Sequence, residues 1–290
     1  MPLKNPGRFE DNSKESKGVL ALENFDGLRF TYERLLCNRP DKGVSAQNVY
    51  NLHAGNSQDL TTFQFQSIVG INNTHLVARY ANDQNVIQGR VIHDLPNTPL
   101  GNFNFRLSGE ISPEEGSSFN VEGDLLAKAS AFTVKFGSGS AALGYMASIT
   151  DKISAGAEMV HLFQQGITGL GLASRLALGK TLWTGTWNSY STGLSHCTLS
   201  STYNWNKDHK WSTELSGVQQ APGMKWESAA CVGFHYMFPT HQVRAQFSNK
   251  GKLNMLYEEQ VSGNMQATFS SEMDYGTKDY RFGVGLHITM

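Results

Sequence analysis

The feature that most constrains this chain is a two-residue hydrophobic alternation that recurs from Phe25 to the C-terminus. Phe282, Val284, Leu286 and Ile288 alternate without a break with Arg281, Gly283, Gly285 and His287. Phe63, Phe65 and Val69 alternate with Thr62, Gln64 and Gln66, and Phe103, Phe105 and Leu107 with Asn102, Asn104 and Arg106. The same rhythm sets Phe119, Val121 and Leu125 against Asn120, Glu122 and Asp124, and Leu170, Leu172, Leu176 and Leu178 against Gly169, Gly171, Ala173 and Arg175. Successive strand side chains point to opposite faces, so every segment offers one apolar face and one small or polar face. Turn residues separate the segments, among them Asn72-Asn73, Lys207-Asp208, Pro222-Gly223 and the stretches at 113–116 and 249–251. Counting between turns gives about nineteen segments of roughly 8–12 residues, the length that crosses a bilayer at a tilt.

A soluble β-sandwich also alternates. So many similar segments, with no Pro-rich linker and no shift in composition, exceed a sandwich and point to one closed transmembrane β-barrel. An odd count requires the first strand, near residues 27–36, to pair parallel with the last, near 280–289, and the other pairs to be antiparallel. Low charge (17% of residues) and 29 glycines fit closely packed antiparallel strands. No window approaches 18 consecutive apolar residues, which excludes a transmembrane helix.

The charge balance, 24 Lys+Arg against 25 Asp+Glu, gives no electrostatic case for nucleic acid. Cys37, Cys197 and Cys231 are odd in number and far apart, so they suit neither a disulfide framework nor a metal site. The N-terminus has no apolar core for a secretory signal, and its early acids (Glu10, Asp11, Glu15) argue against a matrix transit peptide. A barrel of this kind is expected in an organellar membrane reached from the cytosol.

Residues 1–24 differ from the barrel segments at 25–290. Asn5 can cap a helix, Pro6 suits its first turn and Gly18 suits its stop. Glu10 and Asp11 lie toward the positive end of its dipole, Lys14 and Lys17 toward the negative end. With Phe9 as its only large apolar residue, this helix is too polar for lipid and is expected inside a watery pore.

Catalytic motifs are missing or broken. The stretch ending Gly179-Lys180-Thr181 resembles the end of a phosphate-binding loop, but the position that needs glycine is Ser174, and the segment alternates as a strand. Gly169-x-Gly171 and Gly283-x-Gly285 lack a third glycine, so no dinucleotide or other cofactor is expected. Ser195 and His196 are adjacent and face opposite sides, and no G-x-S-x-G nominates a nucleophile. An outer-membrane barrel enzyme of lipase type is therefore a distant alternative.

Charge at membrane depth is costly unless it faces a water-filled cavity. By parity the inward candidates are acidic Glu122, Asp124, Glu158, Glu214 and Glu258 and basic Arg79, Arg106, Lys135, Arg175 and Arg244. Glu122 and Asp124 are neighbours on one face, with Arg106 and Lys135 on the flanking strands able to neutralise them.

Arg281, Gly283, Leu286 and Ile288 resemble the terminal assembly signal of mitochondrial outer-membrane barrels: a polar residue, a glycine two on, and apolar residues five and seven on. Length and layout are similar to the mitochondrial porin superfamily, which holds the voltage-dependent anion channel and the channel-forming subunit of the translocase of the outer mitochondrial membrane. Asn5-Pro6-Gly7-x-Phe9-Glu10 looks like the segment before the first strand of the translocase channel, and Gly156 to His161 like a strand near its middle. The resemblance implies a protein-conducting channel of the mitochondrial outer membrane that imports unfolded precursors, without catalytic chemistry. A metabolite porin of the anion-channel type is the alternative. It further implies a complex with a receptor and small single-helix subunits, and a homodimer of barrels. Trp183, Trp187, Trp211 and Phe238 are candidate contact residues, or else members of an aromatic girdle. In this resemblance Gly283, Leu286 and Ile288 govern recognition by the sorting machinery. Glu122, Asp124 and Glu158 would attract basic presequences. Relative to the better-known translocase channels, the chain is expected to lack a long extension before Asn5 and a helix after the last strand, with whatever those tails do.

Overall fold

The structure, a computed structural model, describes residues 5–55, 62–83, 85–113 and 116–290, Asn97 by its backbone alone. The turn expected at 113–116 lies partly outside them. Strands follow one another with short connections: β1 (Gly27–Arg39), β2 (Val44–Ala54), β3 (Thr62–Ile71), β4 (Thr74–Ala81), β5 (Val86–Thr98) and β6 (Gly101–Ser112). Then come β7 (Gly116–Leu126), β8 (Ser130–Gly137), β9 (Ser140–Ser148), β10 (Ile153–Leu162), β11 (Ile167–Leu178), β12 (Thr181–Tyr190) and β13 (Ser195–Asn204). The last are β14 (His209–Gln219), β15 (Glu227–Met237), β16 (His241–Ser248), β17 (Lys252–Ser262), β18 (Met265–Asp274) and β19 (Asp279–Thr289).

Each strand pairs antiparallel with the next in sequence, and the 19-stranded sheet closes where β1 meets β19. That seam is parallel, running from Gly27 opposite Gly283 to Glu33 opposite Thr289. The expected odd-stranded barrel is therefore the observed one. Closure leaves no sheet edge whose backbone groups would go unpaired in lipid. β1 runs to Arg39, three residues past the alternation, because a bulge between Leu35 and Cys37 shifts its register against β2.

Two faces follow from the alternation. Phe282 is 56% exposed and Val284 47%, while Gly283 and Gly285, which alternate with them, are buried. Similar apolar exposure recurs round the wall, from Leu28 and Ile87 to Phe136, Leu170 and Leu215. A continuous apolar band of this kind is foreign to a monomer in water and belongs in hydrocarbon. The total accessible surface is 17491 Å², against about 12,000 Å² for a compact protein of 32.0 kDa. The excess is what a hollow tube with two accessible faces adds. No helix among the described residues is long and apolar enough to cross a membrane, so the crossing elements are the strands.

The N-terminal segment corrects one expectation. A 3-10 turn at Phe9–Ser13 leads into α1 (Lys14–Leu20), so the helix neither starts at Asn5 nor stops at Gly18. Gly7 sits at φ +82, which no helix accommodates, and its N–H donates to the Asn5 side-chain oxygen. Asn5 is therefore a tether rather than a cap. Its amide donates to the carbonyls of Ala127 and Ser130 at the β7–β8 turn. α1 continues through Gly18 because Val19 (1% exposed) and Leu20 (5%) are buried against the wall, and tertiary packing overrides the weak helix propensity of glycine.

Candidate functional site in the barrel lumen

Residues opposite one another in a ladder share a face, so one fixed point sets the parity of the whole wall. Phe9 supplies it. A Cβ added to Gly171 would lie 2.9 Å from the Phe9 ring, and Gly144 of β9 lies close to the same side chain. Phe9 therefore sits on the face opposite Leu170 and Leu172, and it joins Ala131, Met146 and Ala173 in a small buried cluster. Leu20 presses on Gly233 in the same way, and Phe25 on Gly283 and Gly285. Inward glycines thus mark where residues 9–25 lie against the inner wall. The segment is inside the barrel.

From this point the register carries every charged candidate to the lumen side. Glu122 stands opposite Arg106 on β6 and Lys135 on β8, and Asp124 opposite Thr133. Five of the candidates come together: Arg106 lies 2.9 Å from Glu122 and 3.5 Å from Asp124, and Lys135 lies 3.9 Å from both Glu122 and Glu158. Asp124 is fully buried and accepts a hydrogen bond from the Thr133 hydroxyl at 2.8 Å. A buried carboxylate persists only with partners of this kind. The other candidates stand apart. Arg244 reaches Glu258 at 3.0 Å, and Glu258 also accepts from the amides of Gln242 and Gln266. Arg79 donates to Gln64 at 2.9 Å. Glu214, half-buried on β14, has no ion pair among the described residues.

The residues that parity alone does not reveal belong to the N-terminal segment. Arg8 lies 3.2 Å from Asp124, 3.6 Å from Glu122 and 3.3 Å from Asp11. Glu10 pairs with Lys135, and Glu15 with Arg175. Asn12, 1% exposed, donates to the carbonyls of Ser174 and Gly185 at 3.2 Å each. The acids Glu10, Asp11 and Glu15 stand out in the sequence, but not their partners; strand periodicity carries no information about what a separate segment will touch. Arg90 also escaped the alternation, because Val86 and Ile92 put apolar side chains on the inner face of β5 and blur its parity.

Among the recesses of the lumen, two carry charge that bears on function. One of about 540 Å³ lies between the N-terminal segment and β10–β14, with Glu10, Lys17, Glu158, His196 and Glu214 on its walls. A second, about 400 Å³, lies on a stretch of wall with Arg79, Arg90, Gln88 and Glu110. Among the described residues, ion pairs and amides line the inside. At the four positions expected to form a terminal signal, Arg281 pairs with Asp279 at 2.8 Å, Gly283 receives Phe25, and Leu286 and Ile288 stand opposite Phe30 and Tyr32 across the seam.

The family model described as eukaryotic porin matches residues 5–283. The probable mitochondrial import receptor subunit TOM40-2 of Arabidopsis thaliana is 28% identical over 148 residues, 50% of this chain and 44% of that protein. The match thus spans under half the length of that relative. A triple mutant of the Rhodopseudomonas blastica porin superposes with a TM-score of 0.51 at 9% identity, covering 73% of this chain and 90% of that one. Another mutant of the same porin gives 0.51 at 10% identity, covering 78% and 96%. At such identity the likeness is one of fold alone.

Proposed function

This chain belongs to the eukaryotic porin family, and from that membership we propose that it is the protein-conducting channel of the mitochondrial outer membrane, passing unfolded precursors from the cytosol. It is a channel rather than an enzyme. The observation that carries the import reading is the similarity to an import receptor subunit, which covers half of the chain. The lumen agrees with it. A pore for basic presequences needs carboxylates along its wall, and Glu122, Asp124, Glu158, Glu214 and Glu258 supply them in this reading. Arg79, Arg106, Lys135, Arg175 and Arg244 balance them in number, which makes the lumen mixed rather than basic.

One observation favours the second reading, a metabolite porin. Arg79 and Arg90 line one recess together, with Glu110 as the acid beside them. Reversal potential in a planar bilayer separates the two. The import reading expects weak selectivity or a preference for cations, and clear anion selectivity would overturn it. A complex with a receptor, small single-helix subunits and a second barrel belongs to the same reading. Native electrophoresis of a mild-detergent extract showing monomer alone would count against that complex.

A further inference from the structure

The wall cluster of β6–β10 is short of one positive charge. Glu122, Asp124 and Glu158 supply three carboxylates, and Arg106 and Lys135 supply two cations within 4 Å of them. The missing charge comes from a different part of the chain: the Arg8 guanidinium, 3.2 Å from Asp124 and 3.6 Å from Glu122. Asp124 is fully buried, with Arg8, Arg106 and the Thr133 hydroxyl as its partners. Arg8 itself is held by little besides charge. It follows Gly7 at φ +82 and precedes a short 3-10 turn, outside any ladder or regular helix.

We propose that this cluster is a guanidinium-binding site, that Arg8 is its resident ligand, and that an incoming arginine-bearing segment binds by exchanging with Arg8 rather than beside it. The ligand class is read from the group already bound. The guanidinium meets both wall carboxylates through Nη1, Asp124 at 3.2 Å and Glu122 at 3.6 Å, while its Nε turns to Asp11. Its planar fork thus serves three carboxylates in directions that a compact ammonium does not reproduce. In the import reading, on which this second step rests, the N-terminal segment is a built-in competitor that keeps the site closed until a basic presequence displaces it. Exchange conserves charge: one guanidinium leaves as another arrives, and Asp124 is never stranded as a buried, unpaired anion. Neighbouring interactions oppose complete release. Phe9 sits in its glycine-lined seat and Glu15 pairs with Arg175, so the exchange is local to residues 5–8.

The test uses the full chain in planar bilayers at low salt, with methylguanidinium as the first probe. Arg8→Gln should be blocked at a roughly tenfold lower concentration than the wild type, as expected for one charge-assisted contact. Adding Glu122→Gln and Asp124→Asn should remove that gain. Equal block of wild type and Arg8→Gln would overturn the proposal. Arg8→Lys keeps the charge without the fork and should give a smaller gain. If Arg8→Gln fails to insert, a lysine variant indistinguishable from wild type counts against the site. A second probe, an amphipathic arginine-bearing peptide against its glutamine counterpart, separates the two steps. Methylguanidinium gain with no peptide effect would keep the site and sink the presequence path. Peptide block that needs Glu122 and Asp124 but ignores Arg8→Gln would keep the path and sink the exchange.

Discussion

Gly171 shows how single residues decide the lumen. Its missing side chain is the space that the Phe9 ring fills, since a Cβ there would come within 2.9 Å of the ring. A valine at this position suits a strand in its own right, so Gly171→Val should leave the wall intact and evict Phe9. Losing a buried phenylalanine costs on the order of 3 kcal/mol, concentrated on the N-terminal segment. Hydrogen exchange should then quicken at residues 9–20 while the β10–β12 ladder stays protected; unchanged protection of the segment would show that Phe9 is not its anchor. The strand alternation made the inward parity of Glu122, Asp124 and Lys135 legible, because period 2 leaves only two faces. It gave no warning of Arg8, which meets Asp124 from 116 positions away in the chain. Gly171 likewise read only as a small residue alternating with leucines, with no sign of the ring it admits.

Among the elements, β19 carries two demands at once. Its apolar face must meet lipid, and its backbone must close the barrel against β1 in parallel. The odd strand count made that seam readable from the sequence. The bounds of the N-terminal helix were not readable, because Gly7 and Asn5 are committed to a tether, and burial of Val19 and Leu20 extends α1 past Gly18. For the terminal signal we expect Gly283, Leu286 and Ile288 to be read during assembly. Val284 is 47% exposed on the outer face, and Ile288 shares that face; both lie at the seam, Val284 opposite Leu28 and Ile288 opposite Tyr32. Asparagine at either site costs about 1–3 kcal/mol of apolar burial, so refolding into detergent should suffer comparably in Val284→Asn and Ile288→Asn. Insertion into isolated mitochondria should fail far more severely for Ile288→Asn. Equal defects in both assays would reduce the signal to packing against lipid and seam.

At the scale of the whole molecule, the barrel and the segment inside it hold together by different physics. The barrel closes through backbone ladders that never involve residues 5–20. The segment is held by the Phe9 seat and by ion pairs of Arg8, Glu10 and Glu15 with the wall. Deleting residues 5–20 should therefore leave a channel that still inserts. A helix of roughly 10–12 Å diameter occupies about 95 Å² of lumen cross-section, so its removal should raise conductance visibly. Selectivity should hardly move. The deleted stretch carries three basic residues (Arg8, Lys14, Lys17) and three acidic ones (Glu10, Asp11, Glu15), so the net charge of the lumen is unchanged. At 1 M salt, where screening shortens to about 3 Å, even local differences in charge placement should vanish from the reversal potential. A conductance unchanged by the deletion would mean that the segment does not obstruct the path of ions. A large swing in reversal potential at low salt would mean instead that it acts as a charge filter, with its acidic and basic residues exposed to different parts of the stream.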